Sequence, residues 1–269
     1  MASLPLLRKP IPSLQDILRL LADAASLLVT ADLVVPAGWS VAAKNLSASG
    51  VPGSSGDWMR LIPRADGTLA IALADLEGHD RASNEAARYL DRLLGPEWGQ
   101  GSPDAELITL ERRLASLGTA PGAPPLLVDA MLPILFAVLD PQAMTLELSS
   151  AAHPPPLLVR DGEVQRLNAV GAFVGVAYEL DHQVSRTQLR AGDVLFFATD
   201  GVTEAPNARC ELFADWLEGH LGALTPGGPA NIAEAVFQQL DGHRGAVVPE
   251  DDTTLLVLKA SGPPRGADS

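Results

Sequence analysis

The stretch VLFFATDGVTEA, residues 194–205, decides how this chain is read. Val194, Leu195, Phe196, Phe197 and Ala198 form an uninterrupted apolar run, which reads as a core strand. The run then meets Asp200, with Gly201 directly after it. A carboxylate at the end of a core strand is costly unless something pairs with it. The same ending occurs in LAIALADLEGH, residues 69–79, where the apolar run from Leu69 to Ala74 meets Asp75. Two such endings in one chain ask for a common partner.

Working outward, short β-like runs dominate from about residue 38: WSVAAKNL, DWMRLIP, TLAIALA, MLPILFAVLD, MTLELSSA, PLLVR, EVQRLN, HQVSRTQL, DVLFFAT and TTLLVLKA. Turn dipeptides join several of them, namely Asp66-Gly67, Asp161-Gly162 and Gly192-Asp193. Leu157–Arg160, Asp161-Gly162 and Glu163–Leu167 together give the strongest hairpin signal. Helical patterns come in blocks at 80–94, 103–117, 211–221 and 230–241. Strands thus arrive as consecutive hairpins and helices in pairs, which argues against a doubly wound parallel sheet. The expected class is α+β, a four-layer α-β-β-α sandwich of two antiparallel sheets flanked by helices. Flexible loops are expected at 95–102, 118–125 and 225–229.

Residues 14–29 read as an amphipathic helix, with Leu14, Leu18, Leu21, Ala25 and Leu28 on one face and Ser13 as N-cap. Packing on its own domain is the plain use of such a helix, and a homodimer contact is the alternative. The expected organisation is an N-terminal extension over 1–33, a domain over 34–260 and a disordered tail over 261–269.

The chain has 269 residues, a net charge of -14 and 47% hydrophobic residues, of which few are aromatic. That suits one large domain with an aliphatic core. The acidity argues against a nucleic-acid partner. Cys210 is the only cysteine, so no intrachain disulfide can form. The N-terminus lacks the layout of a signal peptide, and no apolar run is long enough to span a membrane. The expectation is a soluble, cytoplasmic protein with no membrane partner.

Four carboxylates stand at strand ends: Asp57 after Gly56, Asp75, Asp200, and Asp251 just before the final strand. An aspartate after a strand is usually a turn former or helix cap. Four of them meeting at one end of the sheets would repel by about 4 kcal/mol per pair at an effective dielectric near 20. Bound cations would relieve that. Every candidate ligand is oxygen and no zinc-like Cys/His spacing exists, which points to Mg²⁺ or Mn²⁺.

The flanks of these residues carry a resemblance. GDWMRLIPRADGTLAIALADLEGH, SSAAHPPPLLVRDGEVQRL, GDVLFFATDGVTEA and DDTTLLVL together resemble the PPM (type 2C-like) metal-dependent serine/threonine protein phosphatases, in their SpoIIE/RsbU branch. The resemblance covers about residues 34–260. It implies a binuclear Mn²⁺ or Mg²⁺ centre at one edge of the sandwich, with Asp75 and Asp200 as the catalytic candidates. By motif match Asp75 bridges the two ions, Asp57 and the backbone carbonyl of Leu76 complete the second site, and Asp200 and Asp251 hold the first. Asp252 and Thr253 match as supporting residues. The substrate it implies is a phosphoserine or phosphothreonine protein, such as a STAS-domain anti-anti-sigma regulator. The sequence departs from the family pattern at Met59 and Arg60, at Leu76-Glu77, at Asp80 and at Ala152 before His153. These departures motivate the alternative of a catalytically weak, phosphatase-like binding domain. A haloacid-dehalogenase reading of TDGVTE is set aside, because a second aspartate two residues from Asp200 is missing: Ala198 and Val202 stand there.

Overall fold

A computed structural model describes residues 35–50, 54–128, 130–168, 171–175 and 182–261. The expected helix at 14–29, a dimer through it, and the tail beyond Ser261 lie outside the described residues. Ten strands form two five-stranded antiparallel sheets. The first sheet contains β1 (Trp39–Leu46), β6 (Leu157–Arg160), β7 (Glu163–Arg166), β9 (Val194–Ala198) and β10 (Thr253–Ala260). Its order is β1-β10-β9-β6-β7. The second contains β2 (Trp58–Pro63), β3 (Leu69–Ala74), β4 (Ile134–Asp140), β5 (Thr145–Ala151) and β8 (Ser185–Gln188), in sequential order. Five helices complete the described fold: α1 (Arg81–Leu94), α2 (Pro103–Ala115), the single turn α3 (Asp200–Thr203), α4 (Phe213–Leu224) and α5 (Pro229–Arg244).

The apolar run of the opening stretch follows from this layering. Side chains alternate across a strand, and both faces of β9 are covered. Leu195 and Phe197 enter the core between the sheets, with Ile71, Leu73, Leu135 and Leu256. Val194, Phe196 and Ala198 face the outer layer, packing with Phe213, Leu217, Val236 and Phe237 of α4 and α5. On the other sheet, Ala70, Ala72 and Ala74 of β3 lie under α1 and α2, with Leu90 and Leu107. The four-layer sandwich expected from the sequence is therefore the observed fold.

The Asp161-Gly162 hairpin forms as read. Both turn residues have positive φ, 52° and 83°, which a two-residue turn of this hand requires. Arg160 pairs with Glu163 across it. Helix ends shift for local reasons. The Asn207 side chain accepts from the backbone N–H of Arg209 and Glu211, which holds that segment in a loop and delays α4 to Phe213. The last turn of the 103–117 pattern tightens into a 3₁₀ segment, Ser116–Thr119.

The segment 95–102 corrects an expectation. It reads as a flexible glycine-rich loop, yet it is pinned to the second sheet. Trp98 is 1% exposed, edge-on to Phe136 at 4.9 Å and tilted against Trp58 at 5.8 Å. Arg64 donates to the carbonyls of Gly99 (2.7 Å) and Gly101 (2.6 Å). The alanines of β3 leave space beneath the helices, and Trp98 helps fill that outer core. Trp98→Ala should therefore cost about 3–5 kcal/mol of stability. Chemical denaturation measures this; a loss below about 1 kcal/mol would show that the segment is not part of the core.

Candidate metal centre

The four carboxylates come from both sheets. Asp57 precedes β2 and Asp75 follows β3, neighbouring strands in the second sheet. Asp200 follows β9 and Asp251 lies two residues before β10, neighbouring strands in the first. Antiparallel pairing puts the end of one strand beside the start of the next, so each sheet delivers two carboxylates to the same end of the sandwich. Asp75, Asp200 and Asp251 each offer an oxygen, and these oxygens all lie within 4.8 Å of one another. Asp57 stands outside this triangle but close to it, because its charge acts on Asp75.

Local chemistry explains how the backbone gets so close. A Cβ on Gly201 would lie 1.8 Å from the carbonyl oxygen of Asp252, so only glycine allows α3 to press against the segment carrying Asp251. A Cβ on Gly56 would lie 2.4 Å from the Leu76 carbonyl oxygen and 2.5 Å from that of Gly78. The Leu76 carbonyl thus abuts the residue before Asp57. Asp75 is anchored by its N–H, which donates to the Pro133 carbonyl at 3.1 Å. The buried guanidinium of Arg244, at the end of α5, donates to the Gly201 carbonyl (2.7 Å) and to the Thr253 hydroxyl (3.0 Å). It ties the two carboxylate-bearing segments of the first sheet together.

The electrostatics are those of crowded, partly buried carboxylates. Burial pushes the Asp57 carboxyl up to about 8, with Asp252 and Asp251 adding repulsion against hydrogen bonds from Thr254 and Thr199. Asp75 is also raised, first by burial and then by the charges of Asp57, Asp200 and Asp251. It is the carboxyl that feels all three others. Asp251 rises to about 6 through burial and the charge of Asp200. Asp57 Oδ1 and Asp200 Oδ1 are buried without a hydrogen-bond partner. Buried acceptors are seldom left open. The all-oxygen donor set, the two open oxygens and the mutual repulsion fit a hard divalent cation.

Other expected residues find plainer uses. Arg60 donates to the Gly95 carbonyl at 2.9 Å and approaches Asp91, which fastens β2 to the end of α1. Asp80 is the N-cap of α1, accepting from the N–H of Ala82 and Ser83. The Ser83 hydroxyl in turn donates to the Glu77 carbonyl, bracing the loop after Asp75. His153 is buried with Nδ1 3.0 Å from the Pro154 carbonyl, and burial lowers its pKa to about 4, so it is neutral. Thr199 is a contact the sequence reading missed. Its hydroxyl donates to Asp57 at 2.9 Å across 142 residues of chain, a separation that leaves no local signal.

Comparison with known proteins agrees with this architecture. The fold is that of PP2C-type domains. The structure superimposes on the PP2C phosphatase domain of SpoIIE from Bacillus subtilis with a TM-score of 0.67 at 22% identity, covering 82% of this chain and 61% of that one. It also matches the RsbU and RsbW domains of a Mycobacterium tuberculosis protein with a TM-score of 0.70 at 21% identity, covering 89% of this chain and 64% of that one. Residues 65–261 match the family model described as Stage II sporulation protein E, and the chain belongs to this SpoIIE family. Stage II sporulation protein E of Priestia megaterium is 27% identical over 207 residues, 76% of this chain and 34% of the relative. The Bacillus subtilis protein of that name is 25% identical over 210 residues, 76% of this chain and 24% of the relative. The chain thus spans about a quarter to a third of the curated relatives it matches.

Two outcomes follow for stability. A carboxyl whose folded pKa is raised contributes stability below its ordinary value near 3.8, and this is lost as pH climbs through the raised value. The metal-free protein should therefore lose stability from these groups progressively from about pH 4, with the Asp251 contribution gone by about pH 6 and the Asp57 contribution by about pH 8. Mn²⁺ should raise the thermal midpoint, and more so at pH 8 than at pH 5.5. At 100 times its dissociation constant one ion adds about 2.7 kcal/mol. Thermal scans with and without Mn²⁺ measure this, and an unchanged midpoint at saturating Mn²⁺ would contradict a shared cation site. In addition, Gly201→Ala should force α3 from Asp252, cost about 1–3 kcal/mol and weaken the Mn²⁺ shift.

Proposed function

We propose that this chain is a metal-dependent phosphoprotein phosphatase acting on phosphoserine or phosphothreonine. The observation that carries the reading is the convergence of Asp75, Asp200 and Asp251 within 4.8 Å, beside Asp57, in a chain of the SpoIIE family. When bound, two Mn²⁺ or Mg²⁺ ions supply a lowered water pKa and charge neutralisation for in-line displacement at phosphorus. In this assignment Asp75 would serve both ions, Asp57 and the Leu76 carbonyl would help hold one, and Asp200 and Asp251 would hold the other. The position of Asp75, under the charges of the other three, supports its bridging role. The close approach of Leu76 to Gly56 supports pairing its carbonyl with Asp57. Burial strengthens every charge interaction within such a site.

The alternative of a binding-only domain draws on the departures from the family pattern. Asp80 and Arg60 have local structural partners, and neither removes a carboxylate, which favours the catalytic reading. We infer a folded phosphoprotein as substrate, a STAS-domain regulator being the leading candidate. Among solved structures of the same fold, one holds the RsbU and RsbW domains of a Mycobacterium tuberculosis protein, and another concerns the bacterial stressosome. Docking would use the loops around the acidic edge and α1, which follows the Asp75 loop directly. The single, exposed Cys210 and the lack of any long apolar helix among the described residues accord with a cytoplasmic setting.

Hydrolysis of a phosphoserine peptide should require Mn²⁺ or Mg²⁺. Asp200→Asn and Asp75→Asn should each lower kcat by about 100-fold or more, since even residues that only orient metal ligands cost 10–100-fold. Turnover undiminished in excess EDTA would refute the mechanism. A phosphorylated STAS protein should be a better substrate than its denatured digest, and equal rates would contradict docking.

A further inference from the structure

Asp57 belongs to the second sheet, but its side chain is held from the first. Thr199, the residue between β9 and α3, donates its hydroxyl to Asp57 Oδ2 at 2.9 Å. The direction of that proton is fixed. The Thr254 N–H donates to the same hydroxyl at 3.0 Å, occupying a lone pair. The competing acceptor, the Thr254 carbonyl, is 3.5 Å away and already takes the Thr199 N–H at 3.0 Å. Thr254 is itself fixed, because Asn45 of β1 donates Nδ2 to its hydroxyl at 2.5 Å. Asn45 also donates to Ser55 at 3.1 Å, and the Ser55 hydroxyl accepts the Asp57 N–H at 3.2 Å. Thr199 thus takes one oxygen of Asp57, with the Thr254 hydroxyl also acting on that carboxyl, while Oδ1 is buried and without a hydrogen-bond partner.

The backbone before Asp57 is held from the same side. Asp252, 1% exposed, accepts the Gly56 N–H at 2.6 Å on Oδ2 and the Ala48 N–H at 2.8 Å on Oδ1. It clamps both ends of the connection from β1 to β2. Asp57 is also the carboxylate outside the triangle of Asp75, Asp200 and Asp251. The triangle is complete without it, so Asp57 bears on a second ion more than on the first.

We propose that Thr199 is a positioning residue for Asp57, and that occupancy of the second metal position depends on its hydroxyl. The inference rests on the metal-centre reading above and deepens it. Residues that hold a metal ligand by hydrogen bonding are worth about 10–100-fold in metal affinity when removed. The dependence should fall on one ion and spare the other.

The test compares wild type with Thr199→Val, which keeps the shape and removes the hydroxyl, and Thr199→Ser, which keeps the hydroxyl. Mn²⁺ binding is followed by calorimetry and by electron paramagnetic resonance, where two neighbouring Mn²⁺ ions give a spin-coupled signal. Thr199→Val should bind one Mn²⁺ within about twofold of wild type and the second about 10–100-fold more weakly, with the coupled signal lost at concentrations that saturate wild type. Thr199→Ser should restore both. In turnover, Thr199→Val should raise the Mn²⁺ concentration for half-activity and leave KM for a phosphopeptide unchanged. If Thr199→Val does not fold, Thr199→Ala carries the same expectation. Unaltered binding of both ions in the valine protein, equal weakening of both, or failure of serine to restore the second would each overturn the proposal while leaving the metal-centre reading standing. A wild-type protein that binds no Mn²⁺ would overturn both.

Discussion

Negative charge concentrated where the two sheets end is the constraint on which the rest of this structure depends. At an effective dielectric near 20, a pair of carboxylates 4 Å apart repels by about 4 kcal/mol. Asp75 feels the charges of Asp57, Asp200 and Asp251 and is itself half-buried. A fold evolved only for stability would place apolar or neutral groups there. Here the strands β3 and β9 instead run their fully buried stretches directly into Asp75 and Asp200. A bound divalent cation would turn the same arrangement from a liability into a source of stability.

The scaffold holds the repelling groups in place by contacts that are mostly polar and mostly between segments far apart in sequence. Gly201 and Gly56 let backbone meet backbone where any side chain would collide. Arg244 fastens the Asp200 and Asp251 segments from below, and Asp252 fastens the connection before Asp57. Each polar partner is buried, so each contact is strong and its loss would leave an unsatisfied group. The carboxylates are thus set by the closure of one sheet over the other. This explains why the site needs both sheets to be correctly paired before it exists.

Much of this was legible in the sequence, for reasons that can be named. Trp39–Leu46 and Thr253–Ala260 read as strands at their observed limits because β-like runs there end at polar turns. The four aspartates were visible because each interrupts or introduces an apolar strand. What escaped had no local signature. Thr199 looks like the last residue of a strand, and its partner Asp57 is 142 residues away. Trp98 sits among glycines and reads as loop, but it is buried because the alanines of β3 leave room for it. Asp80, a departure from the family pattern, proved to be a helix cap, a role that local sequence allows but that the motif comparison obscured.

The central claim is that Asp57, Asp75, Asp200 and Asp251 together hold two divalent ions. Anomalous diffraction from crystals soaked in Mn²⁺ tests it most directly. The account predicts two anomalous peaks about 3.5–4 Å apart, with Asp75 touching both, Asp57 touching one, and Asp200 and Asp251 touching the other. A map with no peak at this edge of the sandwich, or with Mn²⁺ held only by other residues, would contradict it.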